Sequence, residues 1–142
     1  MVKLIDLVDL KKAITNLLKD TEIRVLDVSA KEGILRPCFS VQLLPIVGSE
    51  LIKPNTYENS YMVEINYFSK EKTQLENLKM ADTLRKKVMP FFNIKNRKLT
   101  PSNVRNEIVD GVLSFKFNLK WLDAMARKEY EKVKELEIEM RG

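Results

Sequence analysis

Histidine is absent from this chain of 142 residues, which removes the commonest general base near neutral pH, the usual catalytic triads and most zinc sites. The residue types left that could do chemistry are few. Glu64 and Glu107 fall in alternating runs that predict strands and could face each other as an acid/base pair. Such a pair needs one carboxyl pKa raised by burial or by a like charge. Each glutamate instead stands on the polar side of its strand, beside Asn66 or Arg105, where a solvated face is expected. Cys38 follows Pro37 in an apolar strand and reads as a small core residue with nothing to activate it. The four glycines, Gly33, Gly48, Gly111 and Gly142, form no phosphate-cradling pattern. Lys95, Arg97 and Lys98 could touch phosphate, and aromatic side chains on strands could stack bases. Phe115, Phe117 and Trp121, however, share one regularly apolar face, which suits a core. No catalytic residue, cofactor or metal is expected, and the chain reads as a shape, not an enzyme.

The elements that hold these residues are legible from their periodicity. Leu113, Phe115, Phe117, Leu119 and Trp121 alternate with Ser114, Lys116, Asn118 and Lys120, and Val104 to Ile108 alternate in the same way. Asp110-Gly111 lies between the two runs, and a type I′ turn needs positive φ at both central residues. The reading is a long antiparallel hairpin with one apolar and one charged face. The first face calls for a cover of helices, and the second is left to water or a partner. Asp6 to Lys19 carries Leu7, Leu10, Ile14, Leu17 and Leu18 at helical spacing, with Asp6 placed to cap it. Lys72 to Val88 is a second amphipathic helix, stopped by Pro90. Glu22 to Val28, Pro37 to Leu44 and Tyr57 to Phe68 read as strands, and Phe91, Phe92 and Ile94 continue into the core ahead of a basic loop.

Between the second and third of these strands, Pro45 to Thr56 reads as a long connection punctuated by Pro45, Gly48 and Pro54. It carries Ile46, Val47, Leu51 and Ile52, more apolar surface than a solvated loop should hold. Either it tucks over its own core, or it is the tip of a projecting arm that reaches a neighbouring subunit. From Asp123 the composition turns rich in Glu and Lys, with Tyr130, Val133, Leu136 and Met140 as a thin apolar stripe. This reads as a C-terminal helical extension, either solvated or ordered against another copy. The expected fold class is α+β: a mainly antiparallel sheet with two helices packed on one face and long β-hairpins, in the order helix, three strands, helix, two strands. The expected organisation is one domain over residues 1–122 and the extension over 123–142.

Composition narrows the setting. Hydrophobic residues at 44% and charged residues at 32% suit a globular protein, and no apolar run approaches the ~20 residues of a membrane helix. The segment MVKLIDLVDLKK has acids inside its apolar stretch and no small-residue cleavage site, so it does not read as a signal peptide. With a single cysteine, no internal disulfide is expected and synthesis is placed in the cytoplasm. The net charge of +5 falls mainly on residues 91–122, a sparser basic patch than nucleic-acid binders show.

LVDLKKAITNLLKD, RPCFSVQLLP, YMVEINYF, the helix around MADTLRKKV, and NVRNEIVDGVLSFKFNLKW together resemble the tail terminator proteins of phages and PBSX-like prophages of Gram-positive bacteria. The resemblance covers most of residues 4–122 and is one of pattern and order, without a catalytic motif. It implies a virion protein of the tail, assembled in the host bacterial cytoplasm as a homo-hexameric ring on the head-proximal end of the tail tube. Such a ring ends tube growth, caps the sheath if the tail contracts, and joins the neck or head-completion protein. The implied partners are other copies, the tube protein, any sheath protein and the neck, with DNA passing through the lumen without specific binding and no membrane involved. On this reading Ile46, Val47, Leu51 and Ile52 are the expected intersubunit anchors, Lys95, Arg97 and Lys98 face a protein neighbour, and Tyr130, Val133, Leu136 and Met140 add contacts. The alternatives are a head-completion or neck adaptor and a small nucleic-acid-binding domain.

Overall fold

The computed structural model describes residues 4–26 and 35–124. Two strands carry the centre of the sheet because they bury every second side chain along nearly their whole length: β2 (Thr56–Phe68) and β6 (Val112–Ala124). β1 (Cys38–Lys53) pairs with the outer side of β2 and β5 (Ser102–Val109) with the outer side of β6, giving an antiparallel sheet of order β1-β2-β6-β5. Helix α1 (Leu7–Leu17) lies against β1 and a short strand β3 (Phe92–Ile94), and helix α2 (Gln74–Val88) against β5 and β6. Among the described residues, β3 pairs with β4 (Arg97–Leu99) alone. The result is a four-stranded sheet under one helical layer, with the small β3–β4 sheet beside it, the expected α+β class.

The core lies between those layers. Leu10, Ile14 and Leu18 from the first helical segment and Leu84 and Val88 from α2 meet Phe39, Val63, Ile65, Leu113, Phe115, Phe117 and Leu119 from the sheet, all buried. Each such side chain contributes about 1.5–3 kcal/mol on removal from water. Phe117 meets Phe115 and Phe92 edge-on, each with ring centroids 6.1 Å apart, the orientation favoured by the ring quadrupole. The opposite face of the sheet carries the polar set of the alternation, including Gln42, Glu64, Lys116 and Arg105 in one lateral row.

Local signals explain the ends of the elements. Asp6 caps α1 by accepting from the Asp9 N–H at 2.8 Å. Thr73 caps α2 by accepting from the Glu76 N–H at 3.2 Å, and the Glu76 carboxylate accepts from the Lys70 and Glu71 N–H groups at 3.0 Å each. The bonds from the Asp9 and Glu76 N–H groups satisfy donors that a helix start would otherwise leave open, and those from Lys70 and Glu71 tie the preceding turn to α2. The Asp110-Gly111 turn is present, with φ of 53° and 75°, and joins Val109 to Val112. Its Gly111 carbonyl accepts from the Ser69 hydroxyl and the Asn77 amide. A Cβ on Gly111 would stand 2.8 Å from Lys72 Cβ. Gly111→Ala is therefore expected to lower folding stability by about 1–3 kcal/mol, from the positive φ and the collision together. A shift of the urea midpoint shows it.

Four expectations are corrected. Glu22 to Val28 does not form a strand within the described residues. Glu22 adopts a left-handed conformation after a 3-10 turn (Lys19–Thr21), and pairing reduces to a parallel bridge of Val25 with Phe39. Pro45 to Thr56 is no loop: β1 continues through it to Lys53, and only Pro54 and Asn55 make the turn. Phe39 donates its N–H to Arg24 and accepts from Leu26, so backbone groups of odd-numbered residues here point away from β2. By that alternation Pro45, which has no N–H, costs the β1–β2 ladder no bond. The register then shifts between Pro45 and Gly48, where the chain absorbs Ile46 and Val47 as a bulge. Lastly, the basic loop is itself a hairpin, with Arg97 and Lys98 on β4 and the turn residues Lys95 and Asn96 both at positive φ. Phe91, expected inside, is exposed at its edge, and the Lys98 ammonium lies 4.7 Å from its ring centroid.

Candidate assembly surface

The outer half of the β1–β2 hairpin forms an arm. It is backed by β6, which follows β2 to its end with Ala124 opposite Thr56. The arm is thus a three-stranded extension of the sheet and holds a defined shape. Its apolar residues remain in contact with solvent: Ile46 is 50% exposed, Val47 64%, Leu51 48% and Ile52 49%. Leu44 and Leu122 extend the exposed apolar surface on the polar side of the sheet. The structure therefore brings the four arm residues together on one projecting element, away from their own core. Tyr130, Val133, Leu136 and Met140 lie outside the described residues.

The three basic residues are separated by the β3–β4 hairpin into different roles. Lys95 pairs with Asp9 on α1 and donates to the Leu4 carbonyl at 3.1 Å. The hydrogen bond between the Lys95 ammonium and the Asp9 carboxylate holds the Asp9 carboxyl below the usual carboxylate range and the Lys95 ammonium above the usual lysine range. Since the folded carboxyl titrates below the ordinary aspartate range, its share of stability is in place above that range and is lost as pH falls through the depressed folded value. Arg97 pairs with Asp123 at 2.6 Å and donates to the Leu122 carbonyl at 2.7 Å. Lys98 remains exposed over Phe91.

Asp123 is the functional residue that the sequence reading did not single out. Its side chain is fully buried, yet it faces a complete set of donors. Besides Arg97, the Asn59 amide donates to it at 3.0 Å and the Trp121 indole N–H at 3.1 Å, while the Ser49 hydroxyl donates to Asn59. Ser49, Asn59 and Asp123 lie on the three strands of the arm, so the network clamps the arm to itself and, through Arg97, to β4. A buried carboxylate is tolerated when its lone pairs are filled in this way. The signal was present: the inward positions Leu113, Phe115, Phe117, Leu119 and Trp121 continue to Asp123 at the same spacing of two. A charged residue at an inward position implies a buried partner.

The chemical candidates do not converge. Glu64 stands opposite Lys116 and Gln42, and Glu107 stands opposite Ser114, one row further along the sheet. Glu107 is exposed. Cys38 is buried, and burial pushes its thiol pKa up, away from the reactive thiolate. Among the described residues, no group of three or more Asp, Glu, Cys or His could hold a metal ion, and no helix is long and apolar enough to cross a membrane.

The architecture is thus a rigid sheet with an apolar arm. No curated protein matches the chain. The family model for the phage tail terminator protein matches residues 9–131, from the first turn of α1 past the end of β6. With most of its length covered by that match, the chain belongs to the phage tail terminator family, structural components of the virion tail that end the tail.

Proposed function

We propose that this chain closes into a homo-hexameric ring on the head-proximal end of the tail tube. There it stops tube polymerisation, caps the sheath in a contractile tail, and presents a surface to the neck or head-completion protein. The observation that carries this reading is the arm, a clamped element whose Ile46, Val47, Leu51 and Ile52 stand in solvent. Exposed apolar side chains gathered on one element favour a protein contact. A ring also needs contacts between unlike surfaces, with a rotation per subunit that closes.

The basic hairpin supports the same reading over nucleic-acid binding. Lys95 and Arg97 spend their charge on Asp9 and Asp123, so DNA would cross the lumen without a dedicated grip. Lys98, with the open parts of Lys95 and Arg97, faces a protein neighbour in this proposal. In this proposal Tyr130, Val133, Leu136 and Met140 of the C-terminal extension add a further contact. The test is sedimentation velocity of the purified protein across concentration. A discrete species of six subunits is expected, and a monomer at every concentration, in the presence of tube ends as well, contradicts the ring.

A further inference from the structure

The arm needs a receiving surface, and the charge pattern of α1 identifies one. α1 buries Leu10, Ile14 and, just past its end, Leu18. Its opposite face carries Val8, Lys11, Lys12, Thr15 and Lys19, which line a shallow groove of about 460 Å³ with Asn16. Val8 is 63% exposed. The two acids closest to these lysines along the chain are paired from elsewhere in the fold: Asp9 with Lys95 and Asp20 with Lys87. Lys11, Lys12 and Lys19 therefore keep their charge without an acidic partner among the described residues, and their aliphatic stems extend the apolar floor begun by Val8.

The arm carries the complementary pattern. Glu50 and Glu58 stand directly opposite each other on β1 and β2, an arrangement that like charges disfavour. Lys120 lies 3.7 Å from Glu58, which leaves Glu50 as the acid without a cation among the described residues. Exposed Leu51 and Ile52 follow it in the chain. Glu50 stands in the row of Leu122 on the polar face and Leu51 in the row of Asp123 on the inward face. Since β1 is an edge strand, a surface that meets it edge-on reaches both. With lysines around an exposed valine on the other side, they make a heterologous pair of the kind a ring repeats.

We propose that the arm of one copy docks on this α1 face of the next copy, with Leu51 and Ile52 against Val8 and the lysine stems, and Glu50 against Lys11 and Lys12. This rests on the ring reading and adds the surface that receives the arm. Both patches face solvent within one subunit, so each is open to a second copy.

Charge reversal tests it. Glu50→Lys alone, and Lys11→Glu with Lys12→Glu alone, should each weaken association by about tenfold or more and change its salt dependence. Combining all three substitutions in one chain should restore assembly. Mixing the two defective proteins should restore it as well, because in an alternating ring every contact is either native or reversed on both sides. Circular dichroism of each variant should match the unaltered protein, since all three positions are exposed. Rings that form normally with either reversal, or a mixture that fails to recover, overturn the contact and leave the ring reading standing. Lysine reversals that spare assembly but alter DNA retention assign the α1 face to the duplex and likewise overturn it. An unaltered protein that never associates removes the ring and this contact together.

Discussion

Replacing Asp123 with alanine is expected to cost about 3 kcal/mol or more of folding stability, the scale for breaking a buried ion pair by removing one partner. Three donors lose their acceptor at once: the Arg97 guanidinium, the Asn59 amide and the Trp121 indole. The Arg97 side chain keeps only 20% exposure, so water replaces the lost carboxylate poorly. Arg97→Ala should be costly for the mirror reason, leaving a fully buried carboxylate without its cation. The double variant should cost much less than the two single losses added, because the pair acts as a unit. Trp121, the single tryptophan of the chain, sits in the network and reports unfolding in urea by its fluorescence. A loss below about 1 kcal/mol for Asp123→Ala would show that the network does not clamp the arm.

The second large effect lies at the arm's end and should spare the fold. Leu51 and Ile52 are about half exposed, so Leu51→Ser with Ile52→Ser should change monomer stability only slightly, about 0.5 kcal/mol per site. Burying the two side chains against another subunit contributes roughly 3 kcal/mol together, and its loss corresponds to association weakened by more than about a hundredfold. The contact recurs at every junction of a closed ring, so the defect repeats around it. Sedimentation should show a folded monomer where the unaltered protein assembles, and tubes should grow past their normal length. Normal assembly in the double variant would move the intersubunit contact off the arm.

These two predictions divide along the line between what could and could not be read in the residues. The β5–β6 hairpin was legible because strict alternation and an Asp-Gly pair point to the same register, and the turn dihedrals agree. Both helices were legible from their apolar spacing. The arm was half legible: Ile46, Val47, Leu51 and Ile52 stood out by composition, but Pro45 and Gly48 read as loop punctuation. In the structure the proline sits where a missing N–H costs nothing and the glycine follows a bulge. Neither device has a local signature distinct from a turn. The β3–β4 hairpin was hidden because its turn uses Lys95 and Asn96, not glycine, at positive φ. The Arg97–Asp123 pair joins residues far apart in the chain, so only the inward phase of Asp123 on β6 hinted at it. Within the basic cluster the fold pairs Lys95 with Asp9 and Arg97 with Asp123 and leaves Lys98 exposed, and a count of charges does not reveal such pairings.

Stability follows from this layout and so does the division of labour within the chain. The helical layer and the inward strand residues hold the sheet, the Asp123 network stiffens the arm, and the arm is left to meet another surface. That division of labour agrees with membership of a structural tail family.

The most direct test is the length of tails assembled without this chain, measured by electron microscopy of particles from a deletion strain. Overlong tails lacking heads are the expected result, because the tube then has no stop and the neck no landing surface. Headless tails of normal length would contradict the account and make the protein an adaptor added after length is already set.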